Sequence, residues 1–213
     1  MPRIRILLLI LVGALVFGTA TWLGLRAWRS GEPPLAISGF YLSEPRPLPE
    51  FTLTHHSGRP FTPGDLHGHW SFIYFGYTFC PDACPLTLTV LNEVQRKLAQ
   101  QDADGDNAYL LISVDPKRDT PARLKEYTGF FNPRFQGATG DPRELDRLAR
   151  QLGVVYMFPD GQEGDSYLVD HSATLLLINP RGELQAVFTP PQDPEALVRD
   201  FLLIRQRYQE YHG

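Results

Sequence analysis

The feature that most constrains the fold is the apolar run at residues 70–77, WSFIYFGY. A continuous aromatic and β-branched run of this length is typical of a strand that is buried on both faces of a sheet. The segment FCPDACP follows at residues 79–85, and apolar residues then recur with a helical period at Leu86, Leu88, Leu91, Val94 and Leu98. The sequence therefore predicts a central strand, a loop with two cysteines, and a helix that opens at Pro85.

The segments around this unit alternate between strand and helix patterns. Strand patterns lie at residues 51–54, 109–114, 173–178 and 184–188, the last two flanking the turn NPRG. Helix patterns, each opened by a Thr-Pro or Asp-Pro pair, lie at 120–127, at 141–152 and from 193 onward. We therefore predict an α/β fold in which helices flank a mixed sheet. Cysteines between a central strand and a helix are typical of thioredoxin-like folds, although the spacing here is C-x3-C and not C-x2-C.

The N-terminal segment predicts a membrane anchor. Residues 6–25 are apolar and uncharged with arginines on both flanks, which is long enough for a transmembrane helix. A cleaved signal peptide is the alternative, but the apolar run continues past its small-residue site. We expect an anchor at residues 1–29, a linker at 30–45 and one domain at 46–213. A single N-terminal anchor would place that domain on the extracytoplasmic, periplasmic side of an inner membrane.

The charge of the expected domain argues against nucleic-acid binding. Four of the 20 basic residues flank the apolar run, so residues 30–213 keep 16 Lys and Arg against 24 Asp and Glu, a formal net charge of −8. Nucleic-acid binding requires a basic face. We therefore expect no nucleic-acid partner.

The two cysteines, Cys80 and Cys84, are the only ones in the 213-residue chain. A disulfide across so short a loop restricts the unfolded chain only slightly, so a structural role alone is a weak explanation. At a loop–helix junction, residues four apart can turn both sulfurs toward one point, and the helix N-terminus favours thiolates. The pair therefore fits two chemistries, thiol–disulfide exchange and the binding of a soft ion such as Cu(I).

A third ligand would separate these two chemistries. His55, His56, His67 and His69 fall in polar turn segments, and His212 lies at the chain end. His171 differs, because it stands at the entrance to the apolar run from residue 173. Two cysteines and this histidine would hold Cu(II) as well as Cu(I). Asp170 is either a partner that orients the ring or a simple surface carboxylate. The alternative is a core histidine whose hydrogen bonds are satisfied.

Four segments of the chain resemble the Sco/SenC copper-binding proteins. They are FGYTFCPDACP at 75–85, SVDPKRDTP at 113–121, the stretch from Phe130-Phe131 to Gly140, and VDHS at 169–172. A lone C-x3-C would be weak, whereas the four segments in this order are specific. The likeness covers about residues 46–210.

The resemblance implies a thioredoxin-like copper chaperone, with copper held by Cys80, Cys84 and His171. It further implies help in assembling the dinuclear copper site of cytochrome c oxidase, with that oxidase subunit, other copper chaperones or thiol reductants as partners. Two other hypotheses are a membrane-anchored thiol–disulfide oxidoreductase that uses the same cysteines and a peroxiredoxin-type peroxidase. The last is disfavoured, because the threonine before Cys80 is too close and the usual preceding proline is absent.

Overall fold

The computed structural model describes residues 2–29, 35–158 and 167–212, and the chain divides into two compact units, Met1–Leu35 and Ala36–Gly213. The first unit contains helix α1, Pro2–Arg29. Among the residues that the structure describes, no helix combines the length and the apolar character that a membrane crossing requires. A helix is present where the anchor is predicted, and its role as an anchor stays a prediction. Residues 30–34 of the predicted linker lie outside the described residues.

The second unit is a mixed sheet with helices. Its strands are β1 (Phe40–Pro47), β2 (Leu53–His55), β3 (Pro60–Phe61), β4 (Ser71–Gly76), β5 (Ala108–Ser113), β6 (Gln136–Thr139), β7 (Tyr156–Met157), β8 (Asp170–His171), β9 (Leu175–Ile178) and β10 (Glu183–Phe188). Its helices are α2 (Ala83–Gln100), α3 (Pro121–Phe131), α4 (Pro142–Leu152) and α5 (Pro194–His212), with a short 3-10 helix at Pro63–Leu66.

The main sheet has the strand order β1-β10-β9-β4-β5-β6-β2-β3, while β7 and β8 pair separately with each other. Strand β4 pairs in parallel with β5 and antiparallel with β9, and β5 pairs in parallel with β6. The predicted mixed α/β sheet is confirmed. Because strand–loop–helix connections bring functional loops to the carboxyl ends of parallel strands, the loop after β4 is well placed to carry a site.

The predicted central strand is confirmed, and it organises the core. All six residues of β4 are buried. Alternate side chains point to one face, where Phe72 stacks on Tyr109 with ring centroids 5.3 Å apart and contacts Phe201 of α5 at the same distance. The hydroxyl of Tyr74, on that same face, reaches the first turn of α2. Helices α2 and α5 therefore cover the face of the sheet to which these rings point.

The predicted helix starts are largely confirmed. The side chain of Thr120 accepts a hydrogen bond from the Arg123 amide at the start of α3, and Asp141 accepts one from the Arg143 amide at the start of α4. Gly153 ends α4 with a φ of 75°, a left-handed conformation that glycine adopts freely. Helix α2, in contrast, begins at Ala83 and not at Pro85, so Cys84 lies within its first turn.

The sequence analysis missed five strands: the two-residue strands β3, β7 and β8, and the longer strands β1 and β6. Strand β6 has the short, mostly small and polar sequence QGAT and is formed by pairing with β5 and β2, which are distant in sequence. Strand β1 crosses the end of the predicted linker and continues into the predicted domain. It pairs with β10 at the sheet edge, where its prolines are tolerated. Both of these longer strands depend on partners far along the chain, which a local pattern does not reveal.

Candidate metal centre

The two cysteines and His171 come together at the carboxyl end of β4. Their ligand atoms all lie within 4.8 Å of one another, and they form a group of three donors that could hold a metal ion within the described part of the chain. The Sγ atom of Cys84 lies 3.3 Å from Nε2 of His171. The backbone amide of Cys84 donates to Sγ of Cys80 over 3.4 Å. Both cysteines are free thiols.

Cys84 is the innermost residue of this group, with 0% of its surface exposed. Its sulfur accepts a hydrogen bond from the Tyr77 amide at 3.4 Å and lies 3.6 Å from the Tyr74 hydroxyl, which donates to it. The space it fills exists because residue 76 is glycine: a Cβ there would lie 2.6 Å from the sulfur. The first turn of α2 can therefore pack against the end of β4 with a sulfur between them.

The two thiols ionise differently. The side chain of Cys84 donates to the sulfur of Cys80 and His171 adds a further contact, and together they lower the pKa of Cys80 to about 3 although partial burial opposes this. Burial, followed by the adjacent sulfur of Cys80, raises the pKa of Cys84. Without a metal, the pair is therefore a thiolate at the half-exposed Cys80 and a thiol at the buried Cys84.

His171 reaches the cysteines from the short two-stranded pair. In β8 it lies opposite Tyr156 of β7. Its ring contacts the rings of Tyr74 and Tyr77 edge-on, with centroids 5.8 Å and 5.7 Å away. Its Nδ1 is buried and has no hydrogen-bond partner among the described residues. A core histidine with all its hydrogen bonds satisfied, the alternative explanation for this residue, is thus not what the structure contains.

Of the two roles that the sequence left open for Asp170, the structure agrees with the surface carboxylate and not with the orienting partner. Adjacent side chains of a strand point to opposite faces, so Asp170 is exposed while His171 faces the cysteines. No hydrogen bond joins the Asp170 carboxylate to Nδ1 of His171. The two aromatic rings, and not a carboxylate, fix the orientation of the imidazole.

Four other histidines lie outside this group. The prediction of turn positions is wrong for His55, which is buried in β2 and contacts Ser57 Oγ at 2.8 Å and Gln136 Oε1 at 3.0 Å. The Nδ1 atom of His56 accepts a hydrogen bond from the Gly137 amide. His67 packs against Gly182, and neither it nor His69 joins a group of three donors in the described part of the chain. The side chain of His212 lies outside the described residues.

Sequence reasoning missed the residues that support the ligands. Gly76, Tyr74 and Tyr77 belong to the central strand and its end, and their apolar context made them look like core residues only. The signal was their position, three to six residues before the first cysteine. At the carboxyl end of a parallel strand, such residues lie directly beneath whatever the following loop binds.

A family model for SCO1/SenC matches residues 42–204. The chain belongs to the SCO1/SenC family. The resemblance to Sco/SenC proteins inferred from the four sequence segments is therefore confirmed. The mitochondrial protein SCO2 homolog of Mus musculus is 33% identical over 215 residues, which cover 99% of this chain and 81% of the mouse protein.

Solved structures of Sco proteins share the fold. The copper-bound ScoI of Arabidopsis thaliana is 35% identical, with a TM-score of 0.70 over 75% of this chain and 98% of the plant chain. Copper-bound yeast Sco1 is 32% identical, with a TM-score of 0.70 over 78% of this chain and 91% of the yeast chain. The thioredoxin-like fold predicted from the strand–cysteine–helix order is thus confirmed.

The variant Gly76→Ala tests whether the cysteine site needs glycine at this position. The new Cβ would lie 2.6 Å from Cys84 Sγ and 2.8 Å from a ring carbon of Tyr74. Overpacking should lower the free energy of unfolding by about 1–3 kcal/mol, measured by urea titration of the metal-free protein. The matched control is Gly129→Ala in α3, where an added Cβ meets nothing within 4 Å. This control should gain up to about 1 kcal/mol, and equal stabilities of the two variants would contradict the packing argument.

The pH dependence of alkylation tests the thiolate at Cys80. Since the pKa of Cys80 is lowered to about 3, its reaction with iodoacetamide should hardly change in rate between about pH 5 and pH 8. An ordinary cysteine, with a pKa of about 8.5, slows about tenfold per pH unit over this range. Peptide mass spectrometry should find Cys80 alkylated well before Cys84.

The Cys84→Ala variant is the control for this experiment. It removes the donor that contributes most to the low pKa of Cys80, so the alkylation rate of Cys80 should become pH-dependent. Preferential alkylation of Cys84 in the unsubstituted protein, or a midpoint near that of an ordinary cysteine, would show that the assignment of the thiolate is wrong.

Proposed function

We propose that this domain binds one copper ion through Cys80, Cys84 and His171 and delivers it during assembly of the dinuclear copper site of cytochrome c oxidase. The observation that carries the proposal is the convergence of two sulfurs and one imidazole nitrogen within 4.8 Å. The Sco family comprises cytochrome c oxidase assembly proteins. The copper-bound relatives from plant and yeast support copper as the ion.

The donor set fits copper in both oxidation states. Thiolates are soft ligands that suit Cu(I), and an imidazole suits Cu(II) as well. Nε2 of His171 already lies 3.3 Å from Cys84 Sγ, so the ring faces the sulfurs and needs no rotation toward them. One ion bound here would replace the proton on Cys84 and face solvent at Cys80.

The two cysteines would play unequal parts in delivery. Cys84 is enclosed by β4 and by the hydrogen-bond donors of Tyr74 and Tyr77. Cys80 is half-exposed in the loop, so the thiols of a partner protein can approach it first. This arrangement supports transfer by ligand exchange to a partner with its own cysteines, such as an oxidase subunit or another copper chaperone.

The second candidate function is thiol–disulfide exchange, and the ionisation of the pair favours it. The Cys80 thiolate would attack a partner's disulfide and form a mixed disulfide, releasing one partner thiolate. Cys84 would then lose its proton and attack Cys80, which closes the internal disulfide and releases the second partner thiol. The reaction consumes the two electrons of the reduced pair. The buried, protonated state of Cys84 would slow the second attack.

Copper titration of the reduced domain separates these functions. The soluble form begins at Ala36, where the second compact unit starts. We expect about one copper per chain for Cu(I) and for Cu(II), and a sulfur-to-copper charge-transfer band for Cu(II). His171→Ala should abolish or shift that band while the far-UV circular dichroism of the fold is retained.

The controls for the titration are chosen within the chain. His56→Ala removes a histidine outside the site and should bind copper as the unsubstituted protein does. Cys80→Ser should greatly weaken binding of both ions, and unchanged binding would show that the ligand assignment is wrong. A protein that binds no copper tightly but reduces disulfides would establish the second function instead.

The location of the domain stays a prediction from the sequence. The apolar run at residues 6–25 led to it, and the SCO2 homolog of Mus musculus is a mitochondrial protein. Fractionation of cells that produce the full chain is the test, with a chain that starts at Ala36 as the matched control. We expect the full chain with the membranes and the shortened chain in the supernatant. Recovery of both in the supernatant would contradict the prediction.

A further inference from the structure

The motif SVDPKRDTP at residues 113–121 gave no ligand to the site, yet it contains a buried arginine. The side chain of Arg118 is only 6% exposed. Its guanidinium carbon lies 3.5 Å from the ring centroid of Tyr167 and 4.6 Å from that of Phe79. An arginine placed between two aromatic rings gains stacking and cation–π energy that other side chains do not supply.

Polar contacts fix the guanidinium in the same place. Its Nη1 donates to the backbone oxygen of Tyr167 over 2.9 Å, and its Nε pairs with the carboxylate of Asp115. The hydroxyl of Tyr167 donates to the other oxygen of that carboxylate over 2.6 Å. Arg118, Asp115 and Tyr167 therefore form a closed set in which the backbone and the side chain of Tyr167 are both held.

The two rings belong to the two chain segments that carry the ligands. Phe79 directly precedes Cys80, and Tyr167 lies four residues before His171. Between Tyr167 and His171, the Val169 amide donates to the Tyr77 hydroxyl over 3.0 Å. The guanidinium of Arg118 thus contacts both the cysteine loop and the segment that leads into β8.

The cysteine loop has a second, independent support. The buried carboxylate of Asp119 accepts hydrogen bonds from the amide of Thr78 at 2.9 Å and from its hydroxyl at 2.6 Å. Arg123 donates to the Thr78 hydroxyl and stacks on Phe79 at 4.1 Å. The loop would therefore keep its position without Arg118. The start of the segment that leads to His171, in contrast, is held at Tyr167 by its contacts with Arg118 and Asp115.

We propose that Arg118 is a positioning residue that holds the His171 segment against the cysteine loop and so determines whether the imidazole completes the site. The inference rests on the copper-binding function proposed above. It predicts an effect that depends on oxidation state. Two thiolates suffice for Cu(I), whereas Cu(II) depends on the imidazole, so loss of Arg118 should weaken Cu(II) binding and spare Cu(I) binding.

The test is the variant Arg118→Lys, which keeps the charge but loses the planar fork and its stacking. We expect the affinity for Cu(II), measured against a competing chelator, to fall about tenfold or more, as for other residues that orient metal ligands. The charge-transfer band should shift, while the affinity for Cu(I) changes by less than about threefold. In the metal-free protein, hydrogen exchange of the Val169 amide should accelerate, which reports on the segment without any metal.

The matched control is Arg205→Lys. Arg205 also stacks on an aromatic ring, that of Phe201 at 5.6 Å, and donates to the backbone oxygen of Ala103, but it lies outside the cysteine loop and the His171 segment. Cu(II) affinity and Val169 exchange should therefore stay as in the unsubstituted protein. If Arg118→Lys does not fold, Tyr167→Leu removes the aromatic ring that Arg118 contacts. This variant must likewise lose affinity for Cu(II) and keep its affinity for Cu(I).

The outcomes separate this inference from the function on which it rests. An unsubstituted protein that binds no copper would overturn the proposed function, and the exchange of the Val169 amide would still test the positioning role. The role of Arg118 alone would be overturned by a different result. In that case the unsubstituted protein binds copper normally, but Arg118→Lys loses affinity equally for Cu(I) and Cu(II), or for neither ion.

Discussion

The burial of one sulfur under the end of the central strand is the constraint on which the site depends. Cys84 occupies the space that a side chain at residue 76 would take, and it receives hydrogen bonds from Tyr77 and Tyr74. This packing fixes the first turn of α2 against β4. Because Cys80 lies only four residues earlier, its sulfur also lies at the carboxyl end of β4, where the Cys84 amide donates a hydrogen bond to it. The packing of Cys84 therefore fixes the positions of β4, of the first turn of α2 and of the two sulfurs relative to one another.

The asymmetry of the pair follows from the same packing. A fully enclosed sulfur resists ionisation and a half-exposed one beside donors ionises easily, which places the charge at Cys80. The arrangement suits transfer, because the ligand that a partner meets first is also the nucleophilic one. It also explains why metal binding and thiol chemistry are hard to separate in such a site: both begin at the same thiolate.

The sequence predicted features that are formed by residues close to one another in the chain better than features formed by distant segments. The central strand and the helix after it are local patterns, and the two cysteines lie only four residues apart, so all three features were predictable. His171 was found because a polar residue at the entrance to a buried strand requires an explanation. The sequence left two roles open for Asp170, and only the alternation of side chains in β8, which turns it to solvent, decides between them. Strand β6 and the contact of Arg118 with Tyr167 arise from segments that meet only in the folded chain.

The separate pairing of β7 with β8 gives His171, the proposed third ligand, a degree of independence from the main sheet. In the part of the chain that the structure describes, His171 belongs to this two-stranded pair and not to the main sheet. Sequence change in the pair can therefore alter the identity or reach of the third donor without disturbing the strands that stabilise the domain. The two cysteines are thus held by the main sheet, while the third donor lies in a separate strand pair. The choice of metal ion can therefore change through substitutions in β7 and β8 while the cysteine pair stays the same.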